Sequence, residues 1–322
     1  MSVNLLRIVT CVCVALLCSG QLLANKPRIV SVKKIWDRAP HNAFTDLVRF
    51  RDRWWCAFRE AKDHAPSYGK ARVIVSEDGD DWMSAALVEQ EGVDLRDSKL
   101  SVTPDGRLMM IMGGSLYDDN LVYQTRSPRV SFSKDGREWS VPRKLLAEDH
   151  WLWRVTWHDG WAWSVSKLGV GQNPRRGMLY RSRDGIEWEW VTELHVPNIS
   201  ETTLRFMPNG EMFALTRPNW IGTSHPPYTK WSWTSMGEGI GGPNFIRLPD
   251  GSLWAAGRYY DGKATTVLAR MTSGSYNPVL TLPSGGDCSY PGMVWHDDLL
   301  WMSYYSSHEG KASIYLAKIS FQ

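Results

Sequence analysis

Ionisable residues and tyrosines recur along this chain at the ends of apolar runs, where their side chains could carry acid–base or nucleophilic chemistry. Glu201 and Tyr290 each precede such a run, and Arg217 and Arg258 each follow one. A carboxylate can accept or donate a proton, and a tyrosine hydroxyl can act as a nucleophile when a base takes its proton. Arginine presents a planar fork that binds carboxylates. The elements that carry these residues decide whether they meet.

Turn signals divide the chain into repeats. Three segments share the pattern Ser-x-Asp-Gly-x-x-Trp, and they begin at Ser76, Ser133 and Ser182. In such a turn the Asp carboxylate accepts backbone N–H groups, Gly adopts the positive φ that the turn requires, and Trp packs back on the hairpin. The first residues of the segments are 57 and 49 positions apart, which is the scale of one β-propeller blade.

A second turn recurs six times, always between apolar or aromatic stretches. It occurs at Arg51-Asp52, Pro104-Asp105-Gly106, His158-Asp159-Gly160, Pro208-Asn209-Gly210, Pro249-Asp250-Gly251 and His296-Asp297-Asp298. The flanking runs, such as Leu47–Phe50 and Leu108–Met112, are typical of strands. The sequence shows no capped amphipathic helix of useful length, so we predict an all-β chain that folds as a six-bladed β-propeller.

An N-terminal strand is expected to close the ring of blades. The sixth repeat ends with its third strand, Ala312–Ile319, and is one strand short. The segment Arg28–Ile35 can supply the missing strand. It would thereby cover a sheet edge that otherwise invites aggregation.

The first residues are typical of a secretory leader and not of the fold. Arg7 is followed by an apolar run up to Leu17 and then by small residues. This order indicates a signal peptide, and the run is shorter than the about 20 apolar residues of a membrane span. We therefore predict a signal peptide over residues 1–24 and a propeller over residues 25–322. The protein is expected to be secreted or periplasmic, without a membrane span.

Composition argues against several classes of partner. The formal net charge of the 322 residues is +3, and no Lys/Arg run forms a basic stripe, so we expect no nucleic-acid partner. Neither CxxC nor His-x-x-x-His spacing occurs, so we expect no metal and no cofactor. Cys56 and Cys288 are the cysteines beyond the leader, as a disulfide or as two buried thiols. We expect a monomer.

Propeller topology indicates which residues share a face. The innermost strand of each blade starts at one face, and the second strand returns to it, so residues just before first strands and just after second strands converge on the central axis. The candidates are Asp46, Arg59, Glu60, Asp63, His64, Asp97, Lys99, Tyr117, Asp118, Asp119, Trp151, Trp153, Arg154, Lys167, Glu201, Arg217, Asn244, Arg258, Tyr259, Tyr260, Tyr290, Tyr305, His308 and Glu309. Loop residues on such a face are polar in any propeller, but acids, arginines and tyrosines from all six blades favour a ligand site.

The repeats resemble those of the sialidase superfamily over essentially the whole mature chain. The Ser-x-Asp-Gly-x-x-Trp segments are similar to the Asp boxes of that family, although they are one residue shorter than the commonest form. Asp boxes also occur in propellers without sialidase activity. They therefore indicate the fold and not the function.

The resemblance extends to three catalytic positions. The segment Ile199–Leu204 is similar to the fourth-blade stretch in which sialidases place the glutamate that partners their nucleophile. Tyr290 stands where their nucleophilic tyrosine would be, and Asp63 falls near their acid/base aspartate. The resemblance therefore implies that Tyr290 is the nucleophile, Glu201 its base and Asp63 the acid. His64 is the alternative acid.

The binding positions depart from the sialidase pattern at one place. Sialidases bind the substrate carboxylate with three arginines, and Arg217 and Arg258 match two of them. At the first-blade position this chain has Phe44–Asp46, and an acid at Asp46 would repel a carboxylate. The other residues of the predicted substrate-binding set are Asp46, Arg59, His64, Arg154, Trp153 and His308, of which Arg59 or Arg154 would replace the missing arginine.

Three functions are compatible with these residues. The first is an exo-acting glycoside hydrolase with a sialic-like, uronic or neutral sugar at a glycan end. The second is a polysaccharide lyase, in which a tyrosine and His64 or His308 remove a proton beside a uronate carboxylate. The third is a glycan-binding propeller without catalysis. A glycan is the expected partner in each case.

Overall fold

The computed structural model describes residues 26–169 and 175–321. Within these ranges the chain forms 25 strands and no helix, so the prediction of an all-β chain is confirmed. The predicted signal peptide, residues 1–24, lies outside the described residues. In the described part of the chain no helix is long and apolar enough to span a membrane.

The strands form six antiparallel sheets, which are the blades of the predicted propeller. The first strand of the chain, β1 (Pro27–Trp36), belongs to blade 6. Blades 1 to 3 contain β2 (His41–Phe50), β3 (Arg53–Ala61), β4 (Lys70–Ser76) and β5 (Met83–Val88); β6 (Asp94–Val102), β7 (Leu108–Tyr117), β8 (Tyr123–Ser133) and β9 (Arg143–Lys144); β10 (His150–Leu152), β11 (Thr156–His158), β12 (Trp161–Leu168), β13 (Arg176–Ser182) and β14 (Trp188–Leu194). Blades 4 to 6 contain β15 (Thr202–Phe206), β16 (Met212–Thr216), β17 (Trp220–Ser224) and β18 (Ser232–Ser235); β19 (Gly241–Arg247), β20 (Leu253–Asp261), β21 (Lys263–Met271) and β22 (Tyr276–Thr281); β23 (Cys288–His296), β24 (Leu299–Ser306), β25 (Ser313–Phe321) and β1.

Each of the six predicted turns joins two consecutive antiparallel strands of a different blade, in blade 3 the short strand β11 to β12, which confirms the blade count. Every one of them contains a residue in the left-handed region. These residues are Asp52, Gly106, Gly160, Gly210, Gly251 and Asp298. Glycine and short polar residues adopt this conformation most readily, so turn chemistry alone places the hairpins.

The Ser-x-Asp-Gly-x-x-Trp segments form the turns between the last two strands of blades 1 to 3. In blade 3, Ser182 Oγ donates to Asp184 Oδ1 at 3.0 Å. Asp184 Oδ1 also accepts two backbone N–H groups at 2.8 and 2.9 Å. The indole N–H of Trp188 donates to the Gly185 carbonyl at 3.2 Å. The other two segments repeat these bonds. All the partners are local, so the motif builds its own turn.

Blade 4 contains a related turn that the sequence pattern does not reveal. Between β17 and β18, the indole N–H of Trp231 donates to the Tyr228 carbonyl at 3.0 Å, as the Trp of the other turns donates to Gly. Tyr228 stands at the position of that glycine in the turn, and its own φ is 66°. Because both the Asp and the Gly of the pattern are replaced here, a search for the motif misses it.

The N-terminal strand closes the ring as predicted. Strand β1 pairs antiparallel with β25, from Pro27 opposite Phe321 to Trp36 opposite Ile314. It completes a sheet in the order β1-β25-β24-β23. The closing strand is one residue longer at each end than the predicted Arg28–Ile35.

Tryptophans and other large side chains fill the space between neighbouring blades. A Cβ on Gly136 would stand 2.2 Å from the Trp55 ring, and one on Gly79 would stand 2.3 Å from the Trp301 ring. Each of these turns therefore packs on the second strand of the preceding blade. Cys56 and Cys288 are buried and unbridged, which settles their state as two free thiols.

Candidate active site

The same irregularity recurs near the start of four innermost strands. The pairing register is interrupted in blades 1, 2, 5 and 6, and each interruption contains a residue with positive φ: Phe44, Asp97, Gly242 and Tyr290. A bulge turns the strand locally and redirects a side chain. The rings of Phe44 and Tyr290, from blades 1 and 6, thereby come within 5.0 Å of each other. The side chains at these bulges are called the floor, and the part of the propeller face around them is called the basin.

Tyr290 and Glu201 are in direct contact on this floor. Tyr290 Oη donates to Glu201 Oε1 at 2.7 Å, and the Gly242 N–H donates to Oε2 at 3.0 Å. Arg217 Nη1 lies 3.2 and 3.3 Å from the two carboxylate oxygens. A Cβ on Gly242 would stand 2.5 Å from the Tyr290 ring, so glycine at this position makes room for the tyrosine. The fold thus brings together the residues that the resemblance paired.

Burial and neighbouring charges separate the protonation states of this pair. Burial raises the pKa of the Tyr290 hydroxyl well above its usual value, and Glu201 and Asp97 add to the effect. Burial also tends to raise the pKa of Glu201, but Arg217 and Lys167 outweigh it and lower that pKa. A protonated phenol therefore faces an ionised carboxylate, as a nucleophile faces its base.

Asp97 is a third acid in this group. It has a φ of 53°, and among the described residues its buried Oδ1 has no hydrogen-bond partner. Burial raises the pKa of this carboxyl, and Glu201 adds to the rise although Lys99 and Arg96 oppose it. A carboxyl whose pKa is raised and another whose pKa is lowered, coupled by their charges, suit the roles of acid and base.

Two lysines contribute positive charge to the floor. Lys99 Nζ donates to the carbonyls of Phe44 and Thr45 at 3.2 and 3.3 Å and lies 4.9 Å from the centre of the Trp153 ring. Burial lowers the pKa of Lys99 to about 8. Burial, followed by the charge of Arg126, likewise lowers the pKa of Lys167 to about 8. Glu201 and Asp97 favour the charged form of both lysines.

Arg258 is held from several sides by its own protein. Its Nε donates to the Cys288 carbonyl at 2.9 Å, and its Nη2 donates to Asp287 Oδ1 at 3.0 Å and to Tyr305 Oη at 2.9 Å. The guanidinium carbon lies 5.8 Å from the Tyr290 ring centre, so it borders the basin. Nε and Nη2 already donate these bonds. The edge of the Arg258 guanidinium group formed by these two nitrogens is therefore not available to a substrate carboxylate.

Asp287 also joins two histidines at the blade 1 side of the basin. His64 Nδ1 lies 2.7 Å from Asp287 Oδ2, and His41 Nε2 lies 3.2 Å from the same oxygen. The possible metal-ligand atoms of these three side chains all lie within 4.8 Å of one another, close enough to hold one metal ion. Within residues 26–169 and 175–321, no other group of histidine, cysteine and acidic side chains meets this condition. No sequence spacing indicates the cluster, since Asp287 is more than two hundred residues from either histidine.

Asp63 lies at the rim and not on the floor. Its side chain is exposed, and its backbone carbonyl accepts a bond from Arg59 Nη1 at 2.9 Å. Arg59 is fully buried and also donates to Asp94 Oδ1 at 2.7 Å and to the Ser67 carbonyl at 3.0 Å. Arg59 therefore holds the loop that carries Asp63 and His64, and it does not face the basin.

Asp46 and Arg154 form a buried ion pair beneath the basin. Asp46 Oδ2 also accepts the Leu100 N–H at 2.8 Å, and Arg154 Nη2 donates to the Pro291 carbonyl at 3.2 Å. The pair borders a cavity of about 410 Å³ that extends towards the hairpin face. Trp153 is 2% exposed and packs on Tyr290, with ring centres 5.8 Å apart. These three predicted binding residues support the floor from below.

His308 stands apart from the pair on the floor. It lies on the loop between β24 and β25, where its Nδ1 is 2.9 Å from Ser306 Oγ and its ring packs 5.0 Å from that of Tyr315. The fold thus gathers Tyr290, Glu201 and Arg217 on the floor, with Arg258 and His64 beside them. Topology placed four further residues on this face without assigning them a catalytic or binding role: Asp97, Lys99, Lys167 and Tyr305. Asp287 and His41 were not identified as site residues from the sequence.

Comparisons with known proteins place the fold in context. No family model and no curated protein matches this sequence. A protein of unknown function from Dyadobacter fermentans has a similar structure, with a TM-score of 0.83 and 18% identity, over 92% of this chain and 100% of that one. Trypanosoma rangeli sialidase in complex with the inhibitor DANA matches with a TM-score of 0.69 and 12% identity, over 90% of this chain. This chain spans 58% of that sialidase chain.

An arabinose-releasing enzyme has a similar structure as well. A mutant of an α-L-arabinofuranosidase from Fusarium graminearum, in complex with an iminosugar inhibitor, matches with a TM-score of 0.68 and 13% identity. The match covers 90% of this chain and 97% of that one. At such identities the similarity shows the fold alone. The chain therefore has the sialidase-like six-bladed β-propeller fold that these glycosidases share.

Proposed function

We propose that this protein is a glycoside hydrolase that acts on the end of a glycan with Tyr290 as its nucleophile. The observation that carries the proposal is the buried contact of 2.7 Å between Tyr290 Oη and Glu201 Oε1. The glycosidases among the structural neighbours support it at the level of fold. The predicted signal peptide over residues 1–24 is consistent with export to a place where glycans are encountered.

The proposed reaction proceeds in two steps. Tyr290 Oη attacks the anomeric carbon while its proton passes to Glu201, and the bond from that carbon to the leaving oxygen breaks. Positive charge from Arg217 stabilises the phenolate that develops, because it opposes the rise in the pKa of the Tyr290 hydroxyl. Water then attacks the anomeric carbon, the bond to Tyr290 Oη breaks, and Glu201 returns the proton to the phenolate, so the configuration of the sugar is retained.

We assign the acid to Asp97 and keep Asp63 as the alternative. The leaving oxygen needs a proton in the first step, and water must lose one in the second. The charge of Asp97 contributes to the raised pKa of the Tyr290 hydroxyl, and burial raises the pKa of Asp97 itself, which favours its protonated form. Asp63 is exposed on the rim loop. It reaches the leaving group only if the substrate extends towards blade 1.

The cations favour a sugar bound mainly through hydroxyl groups. Arg258 is engaged by Asp287, Tyr305 and the Cys288 carbonyl. Arg217 donates to Glu201 through Nη1, and its side chain is 40% exposed, so it can still contact a ligand. Arg258 is already engaged and the first-blade arginine is replaced by Phe44–Asp46, and the proposal therefore places neutral sugars ahead of sialic acid.

The test is Tyr290→Phe, which removes one hydroxyl and keeps the ring packed against Phe44 and Trp153. Aryl glycosides of neutral, uronic and sialic sugars are screened first, and the hydrolysed one is used. We expect loss of aryl release with unchanged thermal stability. Tyr304→Phe is the matched control, since Tyr304 belongs to the same blade and its hydroxyl donates to the Pro283 carbonyl at 2.9 Å.

Each contrary outcome has a clear meaning. If Tyr290→Phe keeps most of the activity, Tyr290 is not the nucleophile. A product from a uronate polysaccharide that absorbs in the near ultraviolet would identify a lyase instead. Saturable glycan binding without any turnover would identify a binding propeller.

A further inference from the structure

The cluster of His41, His64 and Asp287 has the composition of a metal site. Two imidazole nitrogens and one carboxylate oxygen converge, with the nitrogens 3.2 and 2.7 Å from Asp287 Oδ2. These distances are those of hydrogen bonds, and a small outward shift of the imidazoles would leave room for an ion. Imidazole and carboxylate together suit Zn²⁺, whereas Mg²⁺ and Ca²⁺ prefer sites built from oxygen ligands.

The backbone holds each of the three residues in place. His41 opens β2 and forms an isolated bridge with Ala312. The His64 carbonyl accepts a bond from Arg96 Nη1 at 2.9 Å. The Asp287 N–H donates to Ser307 Oγ at 2.9 Å. Binding therefore needs little ordering of the chain, which lowers its entropic cost.

The other oxygen of Asp287 is oriented by neighbours of its own. Tyr305 Oη donates to Oδ1 at 2.6 Å, and Arg258 Nη2 donates to it at 3.0 Å. Partners of this kind fix ligating carboxylates in metal sites. They turn Oδ2 towards the histidines. Partial burial tends to raise the pKa of this carboxyl, but the hydrogen bonds from His41, His64 and Tyr305 hold it well below its usual range.

The cluster is open to solvent on one side and borders the basin on the other. The side chain of His64 is 51% exposed and that of His41 12%, so water can reach the site from the rim. Phe44 packs against the rings of both His41 and Tyr290, at 6.2 and 5.0 Å between centres. An ion in the cluster would thus lie one aromatic layer away from the proposed nucleophile.

We propose that His41, His64 and Asp287 bind one Zn²⁺-like divalent ion at the edge of the basin. Three protein ligands leave a position for water or for an oxygen of a bound sugar. The sequence predicts no metal, because the three residues come from blade 1, its rim loop and blade 6. The site does not depend on the proposed glycosidase activity, and it can be tested on protein without a substrate.

The experiment measures Zn²⁺ binding by isothermal titration calorimetry. The chain is produced without a polyhistidine tag, stripped with a chelator and titrated with ZnCl₂ near pH 7.5, with MgCl₂ in a parallel titration. We expect one Zn²⁺ per chain and no saturable Mg²⁺ binding. His64→Ala, at a half-exposed position, should fold normally and bind Zn²⁺ at least about tenfold more weakly.

The control variant is His308→Ala. His308 lies on the same face beside a carboxylate, with its Nε2 3.8 Å from Glu309 Oε1, and it is outside the cluster. It should bind Zn²⁺ like the wild-type protein. The proposal is overturned if the wild-type chain shows no saturable Zn²⁺ binding, or if His64→Ala binds as tightly as the wild type. The cluster would then serve to position Arg258 through hydrogen bonds alone.

Discussion

Acidic residues on the two faces of the propeller, the turn face and the basin face, differ in the sequence separation from their hydrogen-bond partners. In the turn of blade 3, Asp184 accepts bonds from residues two and three positions away. On the basin face, Glu201 bonds to Tyr290 across 89 residues, and Asp287 bonds to His64 across 223. Local acids build a turn wherever the motif occurs. The distant acids meet only after the ring closes, and their pKa values are then set by burial and by other blades.

This contrast implies that stability and activity respond to different acids. An acid in such a turn is exposed, so water can replace part of the hydrogen bonds that are lost when it is removed. A basin acid is buried beside groups that change charge during the proposed reaction, so its removal should affect the rate most. Three substitutions test the contrast, in order of decreasing effect.

The largest effect is expected for Glu201→Gln. This change keeps the size of the side chain but removes the base for Tyr290 and the charge that pairs with Arg217. We expect kcat/KM to fall on the order of 10³-fold, within the range for loss of an acid–base group. The free energy of unfolding at neutral pH should fall by only about 1 to 2 kcal/mol, as for loss of charged hydrogen bonds. Steady-state kinetics and chemical denaturation measure the two quantities, and near-normal kinetics would break the contrast.

An intermediate effect is expected for Asp97→Asn, and it should depend on the leaving group. Loss of the acid should slow release of a poor leaving group by about 10²-fold, and release of dinitrophenol, which needs little protonation, much less. Asp63→Asn is the control and should behave like the wild type. If Asp63→Asn shows the dependence on leaving group and Asp97→Asn does not, the acid is Asp63. If Asp97→Asn and Tyr290→Phe both keep full activity, the proposed mechanism itself is wrong.

The pH dependence of activity sharpens the same assignment. The acid must be protonated, so activity should fall as pH rises through the raised pKa of Asp97. The base must be ionised, so activity should fall as pH drops through the lowered pKa of Glu201. Profiles of kcat/KM against pH should therefore have two limbs, and Asp97→Asn should flatten the alkaline one.

The smallest effect is expected for Asp184→Ala in the turn of blade 3. The change removes an acceptor of two backbone N–H groups, which become accessible to water. We expect a loss of about 1 kcal/mol in the free energy of unfolding and no change in kcat/KM. Thermal denaturation and kinetics of the same preparation provide both values. A loss of activity comparable with that of Glu201→Gln would show that the two faces are coupled.

Local patterns in the sequence were sufficient for the architecture. The six hairpin turns, the three Ser-x-Asp-Gly-x-x-Trp turns and the closing strand Arg28–Ile35 were all predicted correctly, because each depends on residues close together or on an unpaired sheet edge. The exception is the turn at Tyr228, where a tyrosine adopts the positive φ expected of glycine. Packing can impose such a conformation, and no local pattern reveals it.

The site was predictable only as a face and, through the resemblance, as the pair Tyr290 and Glu201. Four bulges decided which side chains reach the floor, and a shift of one residue in a strand exchanges its two faces. Asp97 lies at one of these bulges, whereas Arg59 and Arg154 are held in buried ion pairs with Asp94 and Asp46. The cluster around Asp287 joins chain segments more than two hundred residues apart. Contacts of that kind depend on ring closure, so the tertiary structure alone determines them.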